Sequence, residues 1–430
     1  MFQKRNMNFA QKDLEYIWHP CSQMKDYEQF PPIVIERGGG IYLYDIEGKK
    51  YADVVSSWWC NLLGHNNPRI NRAVKEQLDM FEHVIFANFT HKKAIELCER
   101  LAKVLPAGLK KFFFTDNGSS AIEAAMKMSF QYHQQSGNPQ KKRFMSLTDA
   151  YHGETIGALS TGDMDLYTKI YKPVLLEVIR LQTGNIEQAE KIFVQYGDET
   201  CALLVEPVLQ MAAGMKIYRA EYLKKLRELC NQYNVHLIAD EIATGYGRTG
   251  EMFACFHAGV TPDMMCLSKG LTGGYMPMAI TVTTQKIYDA FYADYNEGKA
   301  FLHSHTYCGN PLACAAAVAV LEIFEEENIL QNAQNNAGYF AELIREKFYG
   351  HKNVGEIRSI GLVNAIELTG VDPKARVGYK IYREAIKNGL LLRPLGDLLY
   401  FNPPLNITRN EMKSVVDIAG DAFVTTIGNV

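Results

Sequence analysis

Between about residue 70 and residue 326 the chain alternates two patterns. Short apolar runs such as Lys111–Thr115, Ala202–Val205, His236–Ala239 and Met264–Leu267 are separated by amphipathic stretches such as Asn71–Phe81 and Thr90–Val104. Runs that are apolar almost throughout suit strands buried on both faces. The stretches between them suit crossover helices. Together they predict an α/β fold with a mostly parallel central sheet. The alternation closes with an Ala-rich helix at Pro311–Glu326.

The flanks have a different texture. Residues 33–55, IVIERGGGIYLYDIEGKKYADVV, alternate strand-like runs with Gly turns and read as an antiparallel hairpin or meander. After residue 330 come a helix near 331–348, strands near 355–368, a helix near 376–388 and then LLLRPLGDLLYFNPPL. A chain of 430 residues exceeds one ordinary core. The expected division is a large domain over 71–330 and a smaller α+β domain built from residues 1–70 and 331–430.

Charge and cysteine usage narrow the class. The net charge of −3 gives no reason to expect a nucleic-acid or anionic-membrane partner. Nine scattered cysteines, with no CxxC pair, argue against a disulfide framework or a zinc site and for a reducing compartment. The N-terminus lacks the apolar core of a secretory signal. No apolar run reaches the roughly 20 residues needed to span a bilayer. A cytoplasmic location is therefore expected.

Several strand ends carry chemistry. The run His236-Leu-Ile-Ala ends in Asp240 and Glu241, and a buried strand tolerates such a carboxylate only opposite a cation or strong donors. In open α/β sheets this edge is where ligands bind. A protonated heteroaromatic nitrogen would suit Asp240; Glu241 reads as an ion pair or surface contact. Lys269, in CLSKGLTGG, follows another apolar run and can serve as a nucleophile if burial lowers its pKa. It can equally be an ordinary solvated lysine. Asn117-Gly118-Ser119-Ser120 lies between an aromatic run and an Ala-rich helix, where free N–H groups and hydroxyls can cradle a phosphate or simply cap the helix. Tyr151, in YHGET, can stack on a flat ring or pack under a loop.

Two other motifs are weaker. GYGRTG at 245–250 only loosely resembles a dinucleotide loop and lacks the βαβ setting. His303 and His305 have HxH spacing with no third metal ligand nearby. A phosphate cradle, a stacking aromatic, a strand-end Asp and a strand-end Lys share one explanation. They make the protein side of a site for pyridoxal 5'-phosphate, with the Lys forming a Schiff base and the Asp paired with the ring nitrogen.

Asp240–Ile242 with GYGRTG, Ser268-Lys269-Gly270 and HTYCGNPLACAAA at 305–317 resemble the class III pyridoxal-phosphate aminotransferases. Trp18-His19-Pro20, Gln23-Met24, Ser56-Ser57-Trp58-Trp59, residues 124–128 (AAMKM), Tyr151-His152-Gly153 and Arg393-Pro394-Leu395-Gly396 are similar to one branch of that family. That branch converts 8-amino-7-oxononanoate to 7,8-diaminononanoate in biotin biosynthesis. The resemblance runs from about residue 14 to about residue 405.

It implies the type I aminotransferase fold and a homodimer with active sites at the interface. Lys269 would carry the cofactor, Asp240 would bond its ring nitrogen, and Tyr151 and Ile242 would cover its two faces. Gly118 and Ser119 would bind the phosphate, which Thr306 would reach from the neighbouring subunit. Trp58, Trp59, Ser304, Arg393, Tyr400 and Cys21 would contact the small-molecule substrates, with Arg393 facing a carboxylate.

The resemblance further implies ping-pong transfer, with S-adenosyl-L-methionine as the expected donor. L-Lysine, used by some relatives, is the alternative, and an ω-amino-acid or diamine aminotransferase is another. One position departs from the pattern. After Trp18-His19-Pro20 the family usually carries an aromatic residue, and here it is Cys21, smaller and a poor hydrogen-bond donor.

Overall fold

The computed structural model describes residues 2–428. Its centre is a seven-stranded sheet in the order Leu109–Thr115, Ala279–Thr284, Met264–Leu267, His236–Asp240, Thr200–Val205, Arg143–Leu147, Val178–Leu181. The last five strands of that order run parallel. Ala279–Thr284 is antiparallel to both its neighbours, which turns Leu109–Thr115 back into the common direction. The sheet is therefore mostly parallel, as the sequence predicts. Every residue of Thr200–Val205 and of His236–Asp240 is buried. Full burial of each Leu or Ile there contributes roughly 1.5–3 kcal/mol, enough to hold a strand that ends in a carboxylate.

The common direction has one consequence for function. The strands ending at Thr115, Leu147, Val205, Asp240 and Leu267 all deliver their C-terminal loops to one edge. Residues 117–119, 151–153, 206, 240, 242–243 and 268–269 meet there.

Helix boundaries differ from expectation where caps set them. The helix expected at Asn71–Phe81 spans Pro68–Leu78, because the Asn67 side chain accepts from the Arg69 N–H and Pro68 fits the first turn. A final helix, Arg409–Ile427, starts at a reciprocal Thr408/Glu411 capping box beyond the last stretch read from sequence. The Ala-rich helix is Pro311–Glu326, as expected, capped by Asn310.

Both ends of the chain share a second sheet. Ile35–Gly39, Tyr42–Asp45 and Lys50–Asp53 form the expected antiparallel meander, and Leu390–Leu391 adds to Lys50–Asp53 in parallel. A third sheet joins Val354–Ile360, Val363–Leu368 and Leu398–Phe401. Among the described residues no helix is long and apolar enough to cross a membrane.

Candidate active site

The edge loops enclose a cavity of about 290 Å³. Trp59, Gly118, Ser119, Tyr151, His152, Glu206, Asp240, Ile242 and Lys269 line it. Its size is at the small end for ligand sites, which suits a single-ring cofactor.

Lys269 opens a short 3-10 turn and holds a left-handed φ of +43°, unusual for a residue with a side chain. Its Nζ sits 5.1 Å from the Trp59 ring centroid. Burial lowers the Lys269 pKa from the ordinary lysine value, against the opposing pull of Asp240 and Glu206. A neutral amine is therefore more accessible here than on a solvated lysine.

Asp240 answers part of the puzzle of a strand ending in acids. Its Oδ1 accepts from the Ile242 N–H at 3.1 Å, and its Oδ2 lies 2.8 Å from His152 Nδ1. Glu241 differs from expectation: it is fully buried, not at the surface, and has no ion-pair partner among the described residues. It accepts from the Thr244 hydroxyl at 2.5 Å and the Cys255 N–H at 2.8 Å, so it braces the following loop. Arg248 of GYGRTG is not its partner. That buried guanidinium donates to the carbonyls of Trp59, Asn61, Asn402 and Pro403.

The cavity fits pyridoxal phosphate on its own chemistry. Asn117 caps the Gly118–Gln135 helix, and the first N–H groups of a helix have no partner within it. A Cβ on Gly118 would come within 3.0 Å of Ile242 Cδ1, and one on Gly153 would collide with Ser119 Oγ at 2.1 Å. The cradle is thus kept open by two glycines, with an anion site at one side and the Asp240 carboxylate also lining it.

Two functional neighbours escaped the sequence reading. His152 is buried against Asp240, and its Nε2 has no partner within the described residues. Glu206 ends the Thr200–Val205 strand and accepts from the N–H groups of Tyr151 at 3.1 Å and Met211 at 3.0 Å. Burial, with a smaller push from Asp240, raises its pKa to about 7, while His152 pulls it down.

The remaining candidates divide. Trp58 and Trp59 belong to a turn whose residues Ser56, Ser57, Trp58 and Trp59 have φ of +49°, +45°, +73° and +72°. Four left-handed residues in a row cost about 1–2 kcal/mol each. The turn places Trp59 beside Lys269 and Trp58 under Arg393, whose Cζ lies 4.4 Å from the Trp58 ring centroid. Arg393 Nη2 also donates to the Cys21 carbonyl at 3.3 Å. Both residues line a larger cavity of about 1070 Å³ that also takes in Glu154 and Tyr167. Tyr400 is fully buried behind Trp59, whose Nε1 donates to its hydroxyl at 3.1 Å. Ser304 and Thr306 are exposed and do not line the cavity of their own chain. His303 and His305 turn to Lys127 and Asp116 instead of to a shared ligand.

The family model for class III aminotransferases matches residues 23–423. The chain belongs to the class III aminotransferases. Members of this family depend on pyridoxal phosphate, and this chain is a pyridoxal-phosphate-dependent transaminase. It is 44% identical to the adenosylmethionine-8-amino-7-oxononanoate aminotransferase of Helicobacter pylori, over 95% of this chain and 96% of that one. It is 42% identical to the Geobacter sulfurreducens enzyme of the same name, over 97% of each. The solved structure of the Methanocaldococcus jannaschii enzyme of that name superposes with a TM-score of 0.95 at 36% identity, covering 97% of this chain and 99% of that one. The α/β aminotransferase fold expected from the sequence is therefore the fold of this class III aminotransferase.

Proposed function

We propose that this aminotransferase converts 8-amino-7-oxononanoate to 7,8-diaminononanoate in biotin biosynthesis, with S-adenosyl-L-methionine as amino donor. One observation carries the reading. Two adjacent indoles stand between the two ends, Trp59 lining the cavity 5.1 Å from the Lys269 amine and Trp58 4.4 Å from the Arg393 guanidinium. That layout suits a substrate with a reacting carbon at one end, a carboxylate at the other and an apolar chain between. The names of the relatives agree with it.

Pyridoxal phosphate supplies, when bound, an electron sink that carries the amino group between donor and acceptor. Lys269 would hold it covalently, and its Nζ is the group that would move the proton at the reacting carbon. Asp240 would face the ring nitrogen, and His152 holds the Asp240 carboxylate in place. Tyr151 and Ile242 would cover the ring. Gly118 and Ser119 would hold the phosphate through N–H groups and hydroxyl. Arg393 takes the substrate carboxylate as a two-pronged partner. Trp58 and Trp59 give the apolar wall, and Cys21 and Ser304 contact substrate at the mouth.

The active unit in this reading is a cytoplasmic homodimer. Thr306 reaches the phosphate of the neighbouring site from its exposed segment, which also carries the exposed Leu302 and Tyr307. Donor use by L-lysine is a second reading. It is favoured by Cys21, which leaves room beside the Glu154 carboxylate for a second ammonium group; Cys21 Sγ is 3.8 Å from that carboxylate.

The test is the visible spectrum of the loaded enzyme with each donor alone, followed by mass detection of diaminononanoate after adding acceptor. Bleaching by S-adenosylmethionine alone, with product formed, is expected. Bleaching by L-lysine alone moves the donor assignment. No product with either donor contradicts the substrate assignment.

A further inference from the structure

The left-handed turn at Ser56–Trp59 is costly, so something must hold it. The ties are on the page. Asp53 is fully buried at the end of Lys50–Asp53. Its Oδ1 accepts from the Val55 N–H at 3.1 Å and its Oδ2 from the Ser57 hydroxyl at 2.7 Å. His65 Nε2 lies 3.0 Å from the same Oδ2, and Asn61 Nδ2 lies 2.9 Å from His65 Nδ1. The Asn61 amide donates to Nδ1, so Nε2 carries the proton and donates to Asp53.

His65 is itself locked. Its backbone pairs both ways with Gly40, N–H to carbonyl at 2.6 Å and 3.1 Å. A Cβ on Gly38 would fall 2.7 Å from His65 Cβ. Gly38 therefore lets His65 close on the sheet. On the other side Arg248 Nη2 donates to the Trp59 and Asn61 carbonyls, each at 3.3 Å, and Ser56 Oγ donates to the Asn402 carbonyl at 2.7 Å. The Lys50–Asp53 strand also pairs Asp53 with Leu391, two residues before Arg393.

We propose that Asp53, His65 and Arg248 are positioning residues that clamp the strained Ser56–Trp59 turn and so set where the paired indoles stand between Lys269 and Arg393, fixing acceptor length. The inference rests on the reading that those indoles line the substrate pocket. Strain concentrated at a binding wall persists only where its surroundings over-determine it; here buried Asp53 and Arg248 tie the turn directly, and half-buried His65 braces Asp53. None of the three touches the reacting atoms. Each acts through Trp58 and Trp59.

The experiment uses the loaded enzyme and 8-amino-7-oxononanoate. His65→Ala is expected to raise the KM for this acceptor about tenfold and leave kcat within about twofold. Indole fluorescence becomes more open to acrylamide quenching, and the visible cofactor band is unchanged. His65→Gln, which keeps a donor facing Asp53, recovers most of the KM. Ser57→Ala, a gentler change that keeps the fold, raises the KM about threefold in the same direction.

The clamp is overturned if KM and quenching stay at wild-type values in the His65→Ala and Ser57→Ala variants. It is equally overturned if KM, kcat and the cofactor band decline together and His65→Gln restores none of them. Trp58→Ala separates the two layers of the argument. If that variant leaves the acceptor KM unchanged, the pocket reading fails; if it raises the KM while the clamp variants do not, the clamp alone fails.

Discussion

The cofactor cavity and the proposed substrate wall are built in opposite ways. The cavity is assembled from loops at the ends of parallel strands in one sheet. Apart from Trp59, its residues each follow an apolar run by a few positions, so strand direction brings them together. The wall is assembled from Cys21, the Ser56–Trp59 turn, Arg393 and Tyr400, which come from both ends of the chain and meet across two smaller sheets. The difference teaches where chemistry and specificity reside in this reading: the cofactor is held at the edge of the regular sheet, and substrate selection falls to strained, cross-linked backbone.

Substitutions in the cavity should cost turnover, and those in the wall should cost affinity. The largest effect belongs to Lys269→Ala. Loss of anchor and base should lower kcat about 10³-fold or more, measured by product mass in single turnovers. Asp240→Asn keeps the shape and removes the charge, and kcat should fall about 100-fold with an altered visible spectrum. Wild-type turnover in either variant would break the comparison. Arg393→Lys should instead raise acceptor KM about tenfold with little change in kcat, because an ammonium cannot grip a carboxylate in two places.

The smallest effects are on stability. Burial lowers the pKa of His133 to about 4 and of His236 to about 3. Their folded values lie below the unfolded one, so the stability they contribute is present above about pH 6.5 and is lost as pH falls toward 4 and 3. Glu206 has the opposite sign. Its folded value of about 7 lies above the ordinary 4.5, so its contribution is present below pH 4.5 and is lost as pH rises through 7. Melting temperature against pH should therefore show an acid limb that His133→Asn flattens. It should also show an alkaline slope that Glu206→Gln removes. An unchanged profile in Glu206→Gln would place that carboxyl's titration elsewhere.

How much of this was legible in the sequence follows the same division. Asp240 and Lys269 could be read because a charge at the end of an apolar run is anomalous. Glu206 follows CALLV in the same manner, and the rule that found Asp240 would have found it had it been applied there. His152 sits beside Tyr151 in YHG, yet nothing local tells that its ring turns under the sheet edge to Asp240. Glu241 departs from its expected role because its donors, the Thr244 hydroxyl and the Cys255 N–H, reach it only when the loop folds back. The left-handed turn left no signal at all, since Ser56-Ser57-Trp58-Trp59 contains no glycine and its ties come from residues 53, 248 and 402.

The most direct test of the central claim is borohydride reduction of the loaded enzyme, followed by peptide mapping by mass spectrometry. The account predicts one pyridoxyl-phosphate label, carried on Lys269 and absent from Lys269→Ala. A label on another lysine, or none, would contradict it.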